Sequence, residues 1–139
     1  MFDLVVFVTL LGLGYFVGSA REKSHYKSIL QREKQLIALP VQTGRKANPE
    51  YQHSLFVTGS VVIASDYFKN FAGSLKNFFG GNVSSLETLM DRARREAVLR
   101  AKEKATAWGA EEIIGFRVEF ATLDQMGVEV LAYGTAVKK

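Results

Sequence analysis

The sequence predicts an α+β chain, with one N-terminal transmembrane helix ahead of a small antiparallel-sheet domain that carries one long helix. Three observations support this. The chain opens on an almost uninterrupted apolar run, residues 84–108 repeat apolar positions at steps of three and four, and three later segments are β-branched or alternate in polarity. Beyond an anchor, 139 residues leave room for one compact domain. The expected division is a transmembrane helix over 1–20, a helical stalk over 21–38, a loop over 39–53 and the α+β domain over 54–139.

The anchor is expected from Leu4, Val5, Phe7, Leu10, Leu11, Leu13, Phe16 and Val17, a run broken only by Thr9 and small residues. A helix from Leu4 to Ala20 would rise ~25 Å, short of a hydrocarbon core of ~30 Å. Arg21, Lys23 and Lys27 follow as a basic flank able to reach headgroups, with Arg32 and Lys34 beyond them. No Lys or Arg precedes the run, so the positive-inside rule places the N-terminus outside and the domain in the cytoplasm, at the cell (inner) membrane. Other readings stay open. Gly18-Ser19-Ala20 resembles a signal-peptide cleavage site, although Met1-Phe2-Asp3 lacks the usual basic start. A buried core helix would rarely start so early with so uniform a surface, and a surface amphipathic helix would need a polar face. Gly14 and Gly18 would permit close approach of two such helices.

From Arg21 to Leu36 there is neither Pro nor Gly, and Tyr26, Ile29, Leu30, Leu36 and Ile37 form a thin apolar stripe. The helix is expected to continue as a stalk, either packed on a neighbour such as a second copy or solvated. Pro40 ends it, and Leu39-Pro-Val-Gln42 can open a short edge strand.

In the domain, Ser54–Ala64 is uncharged and β-branched, with Gly59 marking a bulge or a close backbone approach. Asp66 caps a short helix through Tyr67, Phe68, Phe71, Leu75, Phe78 and Phe79, ended by Gly80-Gly81. Ser84-Ser-Leu-Glu87 is a capping box, and Leu86, Met90, Ala93, Ala97, Ala101, Ala105 and Trp108 define a buried face whose alanines imply an unusually close partner. Arg92, Arg95, Glu96, Lys102 and Glu103 fall opposite and read as solvated, and Gly109 closes the helix. Glu111–Leu123 and Gln125–Lys138 read as a hairpin. A sheet this small has an uncovered face and open edges, so Phe116, Phe120, Leu131 and Tyr133 predict self-association. Phe68, Phe71, Phe78, Phe79, Phe116 and Phe120 are the candidate subunit-interface residues.

The chain has no cysteine and two histidines, His25 and His53, which excludes disulfides, thiolate metal sites and thiol nucleophiles. His53 with Asp66 or Glu119 is the one weak metal arrangement conceivable in an oligomer. Gly80-Gly81 before a helix start matches no phosphate-loop pattern and reads as a linker. No catalytic constellation is present, no cofactor is expected, and the basic excess lies beside the apolar run rather than on a nucleic-acid face.

The stretch from Val57 to Val137 resembles the YbjQ-like family, whose members carry a heavy-metal-binding label. The matching pieces are Val57-Thr-Gly59, Asp66-Tyr-Phe-Lys-Asn-Phe-Ala-Gly73, Asn77-Phe-Phe-Gly-Gly81, Ala93-Arg94, Trp108-Gly-Ala110, Ile114-Gly-Phe116 and Gly134-Thr-Ala-Val137. The resemblance implies a dodecin-subunit-like fold assembled as a ring, a pentamer or a pair of pentamers, and brings no catalytic residues. The expected function is a membrane-anchored homo-oligomeric scaffold or interaction protein, with lipid and itself as partners and no nucleic acid. The alternative is a small-ligand or heavy-metal-binding module with sites between subunits.

Overall fold

A computed structural model describes residues 2–46, 48–64, 84–123 and 127–139. Side chains at 2, 3, 15, 18, 19, 21, 22 and 84–88 lie outside that description. The short helix expected from Asp66 to Phe79, and with it Phe68, Phe71, Phe78 and Phe79, also falls outside it.

Helix α1 runs from Phe2 to Gln35 as one element of 34 residues, continuous through the expected anchor and stalk. Thr9, the one hydroxyl described among the apolar residues, donates back to the Val5 and Val6 carbonyls (2.6 and 2.9 Å), so it needs no outside partner. Leu4, Val5, Phe7, Leu10, Leu11, Leu13, Phe16 and Val17 are each more than half exposed. Among the described residues, however, no helix is long and apolar enough to cross a membrane. The span expected over residues 1–20 is therefore not found there.

Past α1 the chain turns at Leu36–Leu39, and Pro40 prevents further helix. Leu39 is buried in the domain core. The next residues run beside a strand edge as foreseen: the Ile113 amide donates to the Pro40 carbonyl (3.0 Å) and the Gln42 amide to the Ile113 carbonyl (2.9 Å), with a parallel bridge at Val41.

Strands β1 (His53–Ala64), β2 (Glu112–Thr122) and β3 (Gly127–Lys138) form one sheet in the order β1-β3-β2, with β3 antiparallel to both neighbours. Helix α2 (Ser84–Trp108) connects the two outer strands and covers one face. Ala93, Ala97, Ala101 and Ala105 are buried against Val57, Ile63, Val130, Ala132 and Ala136. Gly59 is where helix and sheet come closest: a Cβ built there would overlap the Ala97 carbonyl oxygen and stand 2.6 Å from the Ala101 nitrogen. It serves as a close-approach site, and β1 pairs with β3 residue for residue without a bulge. At the end of α2 the Ala110 amide donates to the Ala105 carbonyl (3.0 Å) and the Gly109 amide to the Thr106 carbonyl (2.9 Å), the Schellman pattern, with Gly109 at φ +83°.

Two further sequence expectations need correcting, the first in β2. The bulge lies in β2, between Ile114 and Arg117, around Gly115 at φ +60°. It breaks the simple alternation, so Ile113 and Phe116 share the helix-covered side. Phe116 is thereby a core residue, 7% exposed, rather than part of an open surface, while Phe120 beyond it stays 49% exposed. The uncovered face carries Phe56, 66% exposed, with its ring centroid 6.1 Å from that of Tyr133.

Candidate functional site: the junction of α1, α2 and β1

The second correction concerns the polar face of α2, which is the seat of α1. Ile29, Arg32 and Glu33 of α1 and Leu36 just after its end share one face, and along α2 so do Arg95, Glu96, Leu99 and Glu103. Ile29, Leu36 and Leu99 bury one another in a small apolar cluster. Around it the charges are complementary. Arg32 donates Nε and Nη2 to the two Glu103 oxygens (2.6 and 3.0 Å) and Nη1 to Glu96 Oε2 (2.7 Å). Arg95 forks onto Glu33 (2.7 and 2.5 Å) and lies 5.4 Å over the Tyr26 ring. Arg100 completes the set, with Nε on Glu96 Oε1 (2.9 Å) and Nη1 on the Ser60 carbonyl of β1 (2.7 Å). Among the described elements α1 packs on α2 alone, so this clamp fixes the direction in which the exposed apolar half projects.

Glu96 is the buried charged residue of the described chain, 7% exposed. Burial pushes its carboxyl up, but the hydrogen bonds from Arg32 and Arg100 outweigh that and hold it below the ordinary range. The Arg95 fork likewise holds Glu33 down, against a smaller opposing effect of burial. Glu103 bonding raises Arg32 further above its usual value. A carboxyl whose folded value is depressed stabilises the fold fully above its unfolded value, about 4.3, and less as pH falls through the folded one. The thermal midpoint should therefore stay level from about pH 7 to about pH 5 and fall below about pH 4. A melting profile still flat at about pH 3 would contradict the clamp.

Beside the clamp lies a pocket of about 570 Å³. Val61, Ile63, Leu89 and Ala93 make its apolar wall, and His25, Arg92, Glu96 and Arg100 bring polar groups to it.

The sequence-predicted residues are distributed as follows. The eight anchor residues lie exposed along the first half of α1, and Lys23 and Lys27 of the basic flank are exposed beyond them. The side chain of Arg21 lies outside the description. The clamp residues, read from sequence as a solvated face and a thin stripe, had one usable signal: an isolated Leu99 flanked by opposite charges that match those around Ile29 on the other helix.

A family model described as "Putative heavy-metal-binding" matches residues 42–139, leaving α1 outside the match. A UPF0145 protein of Limosilactobacillus fermentum is 33% identical over 100 residues, covering 72% of this chain and 89% of its own. One from Acetivibrio thermocellus is 42% identical over 83 residues, covering 58% and 78%. A UPF0145 protein of Halalkalibacterium halodurans is 36% identical over 83 residues, covering 60% and 78%. A crystal structure of a protein of unknown function from Pediococcus pentosaceus, of the DUF74 family, is similar at 19% identity and TM-score 0.44, covering 71% of this chain and 95% of that one.

Among the described residues the donor set does not fit a heavy-metal centre. The whole chain lacks cysteine, and among the described residues no three of His, Cys, Asp and Glu converge. His53 opens β1 opposite Lys138, Glu119 accepts from the Tyr133 hydroxyl (2.6 Å), and Asp66 lies outside the described residues.

Proposed function

This chain belongs to the YbjQ_1 family, and from that premise we propose that it is a membrane-anchored, homo-oligomeric scaffold or interaction protein. In this reading α1 joins the family domain to lipid. The observation that carries it is the exposed apolar half of α1, Leu4 to Val17, held in a fixed direction by the clamp. Packed among acyl chains, those side chains would lose water contact at roughly 25 cal/mol per Å² of apolar surface. The short rise is accommodated by local bilayer thinning, with Lys23 and Lys27 reaching the headgroups. Their position after the apolar half supports an outside N-terminus and a cytoplasmic domain at the inner membrane.

Self-association into a ring, a pentamer or decamer, is supported by two features. Strand β1 ends the sheet order, and Phe56 and Val62 stand 66% and 55% exposed on the uncovered face. Extraction in mild detergent followed by light-scattering mass measurement tests it. A mass of several protomers is expected, and a monomer under all mild conditions would end the oligomer reading. A second reading, a small-ligand module, draws support from the pocket beside the clamp.

A further inference from the structure

We propose that the recess on the face of the sheet opposite α2, between Arg45 and the ring pair Phe56–Tyr133, binds a small aromatic carboxylate. All three strands supply its walls: Phe56 from β1, Ile114 and Gly115 from β2, and Tyr133 and Thr135 from β3. The register sets these side by side, with Thr135 opposite Phe56 in one pair of strands and opposite Ile114 in the other. The recess holds about 290 Å³, at the lower edge of small-molecule sites. That is room for one or two fused rings and not for a long chain. Phe56 and Tyr133 both border it, their centroids 6.1 Å apart and their planes tilted at 48°. A third ring can pack on them edge-to-face or offset, the geometries that aromatic pairs prefer.

The cation is placed by the β2 bulge. Three hydrogen bonds tie residues 42–44 to the strand around it. The Gly115 amide donates to the Gly44 carbonyl (2.6 Å), the Phe116 amide to the Gln42 carbonyl (3.0 Å) and Arg117 Nη1 to the Thr43 carbonyl (3.1 Å). Arg45 follows directly, and its Cγ lies 3.6 Å from where a Cβ on Gly115 would stand. Its stem therefore rests on the bulge, at the border of the recess. Among the described residues its guanidinium makes no hydrogen bond or ion pair, so its fork is open to a carboxylate. The Tyr133 hydroxyl is already committed to Glu119 (2.6 Å), which leaves the ring, and not the hydroxyl, to meet a ligand.

This inference goes beyond the anchor and ring readings and requires neither, because one chain supplies every residue it uses. The test is calorimetric titration of the full chain in phosphatidylcholine nanodiscs, with empty discs as the blank. Should the chain prove soluble without lipid, the same titration runs in buffer, so failure of the anchor and failure of the recess are told apart. Indole-3-acetate is the probe. Indole-3-acetamide keeps its rings without the charge, and cyclohexylacetate keeps the charge without an aromatic ring. Saturable binding of indole-3-acetate at one per chain is expected, about ten-fold or more tighter than either control. Arg45→Gln should weaken it by about ten-fold or more, and Phe56→Thr by about five-fold or more. Both side chains are exposed, so both variants should fold as the parent does. Lys46→Gln removes the neighbouring charge outside the recess and should bind like the parent. No binding of indole-3-acetate, equal binding of either control, or an equal loss in Lys46→Gln and Arg45→Gln would overturn the proposal. So would parent-like binding by Arg45→Gln.

Discussion

Replacing Gly59 with valine should cost the domain about 3 kcal/mol or more and abolish a clean cooperative melt at physiological temperature. The reason is steric and has no easy escape. A Cβ at this position meets backbone, the Ala97 carbonyl oxygen and the Ala101 nitrogen, with Arg100 Cβ at 2.8 Å, rather than the end of a mobile side chain. Either β1 leaves its register with β3, or α2 lifts from the sheet and the alanine stripe loses its contacts. Lifting α2 would also pull Arg100 from the Ser60 carbonyl, so the damage reaches the clamp. Gly44→Ala is the matching control. Its new Cβ would find only Gln42 Oε1 at 3.6 Å, and stability should stay within about 0.5 kcal/mol of the parent. Denaturant unfolding of both variants decides the matter, and a Gly59→Val chain as stable as the Gly44→Ala chain would refute the close approach.

Reversing the charge at Glu96 should be the next most damaging change. Glu96→Lys places a third cation between Arg32 and Arg100 at a site 7% exposed, and a loss of about 3 kcal/mol is expected for breaking a buried pair in this way. Amide exchange along residues 23–35 should rise more than exchange in β3, because α1 has no other described element to hold it. The double change Arg32→Leu with Glu96→Leu should recover most of the stability, since an apolar pair of similar size can replace a buried ion pair. Arg100 and Glu103, at 49% and 43% side-chain exposure, can turn to water instead. If Glu96→Lys melts like the parent, the clamp contributes nothing.

Most of the domain is legible from local chemistry. The alanine stripe with Gly59, the Gly109 cap and the two C-terminal strands each follow from spacing or from a residue whose backbone preference is distinctive. The features that escape are those in which two distant segments decide together. Glu96 and Arg95 look like a solvated face until α1 covers them, because a charge whose matched partner lies 64 or 62 residues away has the same local pattern as a charge in water. The flip at Ile113 and Phe116 depends on the bulge at Gly115, where one inserted residue reverses the side on which every following side chain falls. Gly115, set between Ile114 and Phe116, is the available sign of it. The site followed the same division. The exposed apolar half of α1 is written in consecutive residues, whereas the pocket is assembled from three elements and has no linear signature.

The account turns on whether the exposed half of α1 is held by lipid. Flotation of the full chain with vesicles of phosphatidylcholine and phosphatidylglycerol measures this directly. Charge attraction alone fails in about 1 M salt, where screening acts over about 3 Å. The chain should rise with the vesicles and stay with them through that wash. A chain that remains at the bottom of the gradient, monodisperse in detergent-free buffer, would contradict the account.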